Sequence, residues 1–328
     1  MRVGVDIGGT KTDAVLLAPS GEIVHRLRIP TGFGPAAVVD TAAEAVRGLA
    51  ELAGLQPVGF DSIGVGVPGR VDGESGRVAH AVNLGLEGLD LGRMLGARFG
   101  APVRVENDVN AAALGAFQHL LTAEAAGDPT DGRREDRGIR SMAYLNLGTG
   151  LAAGIVVGGQ LWRGAHGAAG EIGHIPVDPA GPLCRCGQRG CLETLASGSA
   201  VARDWPSAHA RPIQELFDAA GLGDPEAIAV SARLTESIAS AVRLLVLTVD
   251  VDVVVVGGGL SSLGERLLDT VRGVLASWAT DSPFLASLDL ASRLRMLPTG
   301  FPAAAVGAAL VGERSRTPVE QPPSVLVR

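Results

Sequence analysis

The feature that most restricts this chain is a strand, a glycine-rich turn and a second strand, written twice. Val3–Ile7 is a short apolar run punctuated by Asp6; Gly8-Gly9-Thr10-Lys11 follows, and Ala14–Leu17 resumes as a strand. Ala143–Leu147 and Ala153–Val157 flank Gly148-Thr149-Gly150 in the same way. Apolar runs of this length bounded by glycine read as strands. Two related lobes, each presenting a glycine turn to a shared cleft, account for the duplication. Ile23–Ile29 extends the first unit into a meander, and Ser62–Val67, Val103–Val105 and Val253–Val256 add buried strands. Helical spacing runs over Pro35–Ala53, where Val38, Val39, Ala42, Val46, Leu49 and Leu52 recur before Gly54. Val109–Leu121, Leu234–Leu247 and Gly264–Ser277 are further helices, the last opened by Gly257-Gly258-Gly259. Interspersed strands and helices place the chain in the α/β class. Residues 122–140 carry many charges and no apolar period and read as an exposed loop, and the stretch from about Arg314 reads as a flexible tail.

Charge narrows the function. A net charge of −7 argues against a nucleic-acid surface, which needs a clustered basic field. Of 28 basic residues Lys11 is the single lysine, and it lies inside a glycine turn. The 46 glycines, without collagen periodicity, point to tight turns or backbone–ligand contacts. Val242–Gly259, the most apolar run, is broken by Asp250 and Asp252, so it reads as a helix and then a buried strand, with no membrane span. The first residues, MRVGVDIGG, meet an acid at Asp6 and form no secretory core, so the expected protein is soluble and cytoplasmic.

Three segments carry chemistry. Backbone N–H groups at a glycine turn can surround phosphate oxygens because no Cβ blocks the approach. Asp6-Ile7-Gly8-Gly9-Thr10-Lys11 adds a carboxylate suited to Mg²⁺ or its waters, a hydroxyl and a cation, although alone it also reads as a polar hairpin turn. The P-loop spacing is not met, since Lys11 follows Thr10. Gly64, Gly66 and Gly69 match G-x-G-x-x-G literally, but Arg70–Arg77 is turn-rich and opens no helix, so the match is discarded. Second, His174, Cys184, Cys186 and Cys191 offer one imidazole and three thiols, a set suited to tetrahedral zinc. Four protein ligands leave no position for activated water, so such a zinc is structural, fixing the loop that carries Glu171 and Glu193. Third, Asn107-Asp108 sits where a strand ends and a helix begins. Both are ordinary N-cap residues; alternatively Asp108 accepts a proton from a substrate hydroxyl while Asn107 orients the ligand.

These residues resemble the ROK family of sugar kinases and related repressors. The resemblance rests on Asp6–Thr12 (DIGGTKT), Glu106–Asn110 (ENDVN), Gly148–Gly150 (GTG) and above all Ala169–Ser197 (AGEIGHIPVDPAGPLCRCGQRGCLETLAS), and it spans about residues 2 to 312. It implies the two-lobed, ribonuclease H-like fold shared by actin, hexokinase and Hsp70, with ATP and sugar meeting in an interlobe cleft. It implies an N-terminal lobe of residues 1–115, joined by a returning helix near 302–313, a C-terminal lobe of 116–301 with the zinc loop, and a tail of 314–328. Asp108 is then the catalytic base. Gly69, Asn83, Asn107, Glu171, His174 and Glu193 contact the sugar, and His174, Cys184, Cys186 and Cys191 hold structural Zn²⁺. Asp6, Gly8, Gly9, Thr10 and Lys11 with Gly148, Thr149 and Gly150 hold Mg²⁺ and the phosphates of ATP, and Gly258 and Gly259 border the adenosine. The implied activity is ATP-dependent phosphorylation of a hexose, glucose at the 6-hydroxyl first, with N-acetylmannosamine, N-acetylglucosamine and fructose as alternatives. Dimers and tetramers are common among such relatives, so the resemblance implies a homodimer or homotetramer, with sugar and ATP as its small-molecule partners.

Two segments depart from the family pattern. Leu151-Ala152-Ala153 follows Gly150 where further glycines are usual, and Leu84-Gly85-Leu86 lacks an expected tryptophan after Asn83. Repressor relatives carry a helix-turn-helix ahead of the fold; with the first strand at residue 2 or 3, none is expected. A sugar-binding regulator without turnover is the remaining alternative, motivated by Ala152.

Overall fold

A computed structural model describes residues 1–126, 138–209 and 211–313. The described residues divide into two compact units, Met1–Asp108 with residues 305–313, and Val109–Ala304.

In the first unit, β1 (Arg2–Ile7), β2 (Lys11–Leu17) and β3 (Ile23–Pro30) form an antiparallel meander. Helix α1 (Pro35–Ala53) follows, with proline in its first turn and Gly54 closing it at φ 65°, a left-handed position that glycine fills without strain. Strand β4 (Ser62–Val67) pairs parallel to β1. A small antiparallel sheet of β5 (Arg70–Val71), β6 (Val78–Ala81) and β7 (Leu86–Leu89) leads to α2 (Leu91–Phe99). Strand β8 (Val103–Asn107) pairs parallel to β4 and runs directly into α3 (Asp108–Ala126). The main sheet order is β3-β2-β1-β4-β8. Burial follows place: β3, on the edge, alternates its exposure, while β2 buries every residue after Lys11. Val3, Val5, Ile63 and Val65 pack with Val46 and Leu49 of α1 and Leu95 of α2 in one core.

The second unit repeats the plan. β9 (Ser141–Leu147), β10 (Leu151–Val157) and β11 (Gln160–Leu161) are antiparallel neighbours. An irregular stretch leads to α4 (Gly198–Asp204), α5 (Pro212–Gly221) and the long α6 (Pro225–Val249), capped by the Asp224 side chain. Then come β12 (Val253–Gly257), α7 (Glu265–Asp281), α8 (Pro283–Leu288) and β13 (Leu294–Met296), giving the sheet order β11-β10-β9-β12-β13. The continuous valine run of β12 is buried because the strand is central and parallel to both neighbours. In both units three antiparallel strands are followed by two parallel ones.

Helix α9 (Ala303–Glu313) belongs mainly to the first unit. Its run of alanine and glycine has a cause: a Cβ at Gly4 or Gly64 would collide with the backbone of Ala305 or Ala308, so helix and sheet meet nearly backbone to backbone. Gly64 is therefore a packing glycine, and the strand β5 after Gly69 agrees with discarding the literal dinucleotide motif. Some expected boundaries move. Thr122–Ala126 continue α3 where a loop was expected; residues 127–137 of that loop, like the tail from 314, lie outside the described residues. Gly257-Gly258-Gly259 opens a short 3₁₀ turn, Gly259–Leu263, before α7.

Candidate active site

Within the first unit, the expected groups converge on the strand ends. The turn between β1 and β2 is closed by the Gly8 N–H donating to the Lys11 carbonyl at 3.0 Å, and Thr31 N–H holds the Thr10 carbonyl at 3.1 Å. A side chain on Gly9 would lie 3.5 Å from Asn83 Cβ, which sets Asn83 beside the turn. Gly69 adopts φ 96°, and a Cβ there would meet the backbone of Ala79 and Ala81, so only glycine fits. Asn107 Nδ2 donates to the Gly69 carbonyl at 3.1 Å, joining the end of β8 to the turn after β4. Asp108 is the first residue of α3.

The strand register explains the charges here. Asp6 faces Asp13 across β1 and β2 and Gly66 across β1 and β4. Burial raises the Asp6 carboxyl from 3.8 to about 8; the charges of Asp108 and Asp13 push the same way, and Lys11 opposes them. Asp13 differs. Burial alone would raise it, yet hydrogen bonds from Arg28 (2.7 Å) and Arg26 (3.1 Å) hold its carboxyl below the usual range. The sequence reading missed Asp13, Arg26 and Arg28, because only the β2–β3 register (Asp13 opposite Arg28) brings them together.

Within the second unit, the carbonyls of Gly148 and Thr149 accept from the N–H groups of Gly198 (2.8 Å) and Ser199 (3.2 Å) at the start of α4. Leu151 N–H donates to Glu193 Oε2 at 3.1 Å. A Cβ at Gly258 would meet the backbone of Leu147, so the Gly258-Gly259 turn lies against the strand that feeds the second glycine turn. Glu171 is exposed just before the short 3₁₀ turn Ile172–His174. Ala152, the departure from the glycine pattern, sits in β10 opposite Asn146, as an ordinary strand residue.

His174, Cys184, Cys186 and Cys191 have ligand atoms that all lie within 4.8 Å of one another. Cys186 Sγ and Cys191 Sγ are 3.6 Å apart, and Cys184 Sγ lies 3.7 Å from His174 Nδ1. A tetrahedron with metal–sulfur bonds of about 2.3 Å has edges of roughly 3.7 Å, so this spacing fits a four-coordinate metal far better than a disulfide. Gly190 has no room for a Cβ against Asp178, which folds the loop back so that Cys191 is buried under His174. Hydrogen bonds from Gln188 draw the Cys186 thiol down to about 6, while burial, followed by the neighbouring thiols, pushes Cys191 up to about 12. Gln188, which also donates to the His174 carbonyl at 3.0 Å, is a residue the spacing of cysteines did not single out.

A duplicated five-stranded plan with a glycine turn after the first strand of each unit defines the actin- and hexokinase-like class of α/β proteins. Within that class the chain belongs to the ROK family, whose profile matches residues 2–312. It is 34% identical over 298 residues to a glucokinase of Halalkalibacterium halodurans, covering 84% of this chain and 86% of that protein. It is 31% identical over 278 residues to an N-acetylmannosamine kinase of Vibrio cholerae, covering 84% and 89%. Among solved structures, a ROK family glucokinase from Streptomyces griseus in complex with glucose and AMPPNP is 32% identical, with a TM-score of 0.73 and coverage of 95% and 98%.

Proposed function

We propose that this protein is an ATP-dependent sugar kinase that phosphorylates a hexose hydroxyl, glucose at the 6-position, with Asp108 as general base. The observation that carries the reading is the grouping in the first unit: Asp108 is close enough to Asp6 to raise its carboxyl, and Asn107 is fixed on Gly69. A phosphoryl group in flight needs its charge neutralised and an in-line nucleophile, and little else. In this reading the Gly8–Lys11 and Gly148–Gly150 turns bind phosphate through backbone N–H groups, with the Lys11 cation beside the first. Gly258 and Gly259 border the adenosine. Asn83, Asn107, Gly69, Glu171, His174 and Glu193 orient the sugar, and Asp108 takes the hydroxyl proton, an effect typically worth ~10²–10⁴ in rate.

Two metals belong to the reading. Asp6 fits Mg²⁺ or its water shell, because a carboxyl raised by burial and by two neighbouring carboxylates is one whose negative charge a divalent cation would compensate. When bound, that ion neutralises phosphate charge. His174, Cys184, Cys186 and Cys191 would hold Zn²⁺, which braces the loop between Glu171 and Glu193 and performs no chemistry. Reduced thiols and the use of ATP favour the cytoplasm, and family resemblance favours a homodimer or homotetramer.

An ATP–Mg²⁺ coupled assay over hexoses and N-acetylhexosamines, with Asp108→Asn alongside, tests the reading. Turnover on glucose, lost in the variant, is the expected result. Turnover confined to N-acetylmannosamine would move the substrate to the second reading, favoured by the N-acetylmannosamine kinase among the relatives. Sugar binding with no turnover on any member would replace the enzyme with a regulator.

A further inference from the structure

The second glycine turn has no charged residue of its own, yet a carboxylate lies against it. Glu193 Oε2 accepts the Leu151 N–H at 3.1 Å, immediately after Gly150. A Cβ on Gly150 would collide with the same Oε2. The other carboxylate oxygen lies 3.9 Å from Cys184 Sγ, one of the four clustered metal-type ligands. Gly173, one residue before His174, is pressed against the Leu151 carbonyl, and a side chain there would lie 3.4 Å from Glu193 Cβ. The segment just beyond Glu193 supplies the Gly198 and Ser199 N–H groups that take up the carbonyls of Gly148 and Thr149. The turn is thus held on both sides by the chain that leaves the Cys/His loop.

We infer that Glu193 is a positioning residue for the second phosphate-binding turn, fixing the Gly150–Leu151 peptide and tying its place to the Cys/His loop, in addition to any contact with sugar. The inference rests on the kinase reading only for the identity of the ligand, a nucleotide phosphate. Its physical content is local: a carboxylate acceptor orients the Leu151 N–H, and glycine at 150 makes room for it. A hydrogen bond to a charged acceptor is among the stronger ones in a protein, so its loss should be measurable in the turn itself.

The test uses the full chain, zinc-loaded, without sugar. Hydrogen exchange at the Leu151 amide and the Kd of AMPPNP are measured for Glu193→Ala and Glu193→Gln. The alanine variant should exchange at Leu151 about tenfold faster and bind AMPPNP about tenfold more weakly. The glutamine variant keeps an acceptor oxygen and should stay within about threefold of the parent on both readouts. A role confined to sugar contact predicts the opposite pattern for alanine, with Leu151 exchange and sugar-free AMPPNP affinity unchanged and only the sugar KM raised. That result overturns the inference. Should Glu193→Ala lose its metal or fail to fold, Glu193→Asp, one methylene shorter, is read on the same two axes; unchanged values there also overturn it. If the parent protein bound no nucleotide, the kinase reading would fall, while Leu151 exchange would still decide whether Glu193 holds the turn. A Gly150→Ala change supplies an independent check. Its methyl meets Glu193 Oε2, so its penalty on AMPPNP binding should shrink in the Glu193→Ala background, and strict additivity would count against the brace.

Discussion

The two glycine turns occupy the same place in the same sheet plan and are supported by different means. The first, between β1 and β2, carries its charges within ten residues: Asp6, Lys11 and Asp13 on the two strands it joins. The second, between β9 and β10, has no charged residue in the turn or its two strands and borrows Glu193 from 42 residues away. In the first unit a regular amphipathic helix, α1, follows the meander; in the second the corresponding place holds the irregular Cys/His segment before α4. A regular helix is held by packing of its apolar face, whereas an irregular loop must be pinned by other bonds. The fourfold ligand cluster and the backbone hydrogen bonds of residues 190–199 fit that need. The difference teaches that one topology can place two glycine turns while leaving their rigidity to unrelated devices.

The comparison breaks first at Asp108. Asp108→Asn should lower kcat by ~10²–10⁴ with sugar affinity kept, as read by steady-state kinetics beside calorimetric binding. Near-parent kcat would remove the base from the first unit. The same variant removes a negative neighbour from Asp6 and should lower that carboxyl's titration.

Cys191→Ser challenges the second unit. Bound zinc should fall from one per chain to none by elemental analysis, and the Tm should drop by about 5–10 °C, the scale expected when a structural metal worth several kcal/mol is lost. An unchanged Tm in the metal-free variant would show that the irregular segment is held without it.

A smaller effect sharpens the account of the first turn. Asp6 titrates at about 8 in the fold against 3.8 when unperturbed. The folded state therefore holds a proton that the unfolded state has released. Its contribution to stability is fully present below 3.8 and is lost as pH rises through about 8. Unfolding free energy measured across that window should fall with pH in the parent and fall less in Asp6→Asn; parallel curves would reject a raised Asp6.

The smallest effect concerns Asp13, whose carboxyl is held low by Arg28 and Arg26. Its stabilisation is present above the unperturbed 3.8 and lost as pH falls through the lower folded value. Because the arginines are partly exposed, Asp13→Asn should cost only about 1–2 kcal/mol at neutral pH in denaturant unfolding, and the difference should close in strong acid.

Much of this was legible in the sequence, for a physical reason. Glycine and proline act on the backbone where they stand, so Pro35 and Gly54 marked α1 and the glycine turns marked both strand pairs without reference to the rest of the chain. Four metal-type ligands within eighteen residues were visible as a group, and the GTG and DIGGTK turns carried the family resemblance. Short helices such as α2 and α8 were not, because six to nine residues give too few turns for a hydrophobic period to register. That Ala152 is a strand residue opposite Asn146 was not legible either, because pairing is set by the register of β9 and β10.

The sequence by itself determined the α/β class, the two glycine turns, the Cys/His cluster and the candidate acid Asp108, all of them local patterns of residue type and spacing. Only the tertiary structure decided that Asp6 faces Asp13 while Arg26 and Arg28 neutralise the latter, that Asn107 grips the Gly69 carbonyl, and that Glu193 lies against Gly150. These pairs depend on strand register and chain reversal, which bring together residues up to dozens of positions apart, and a carboxylate's neighbours, hence its charge state, are fixed only when the chain has closed on itself.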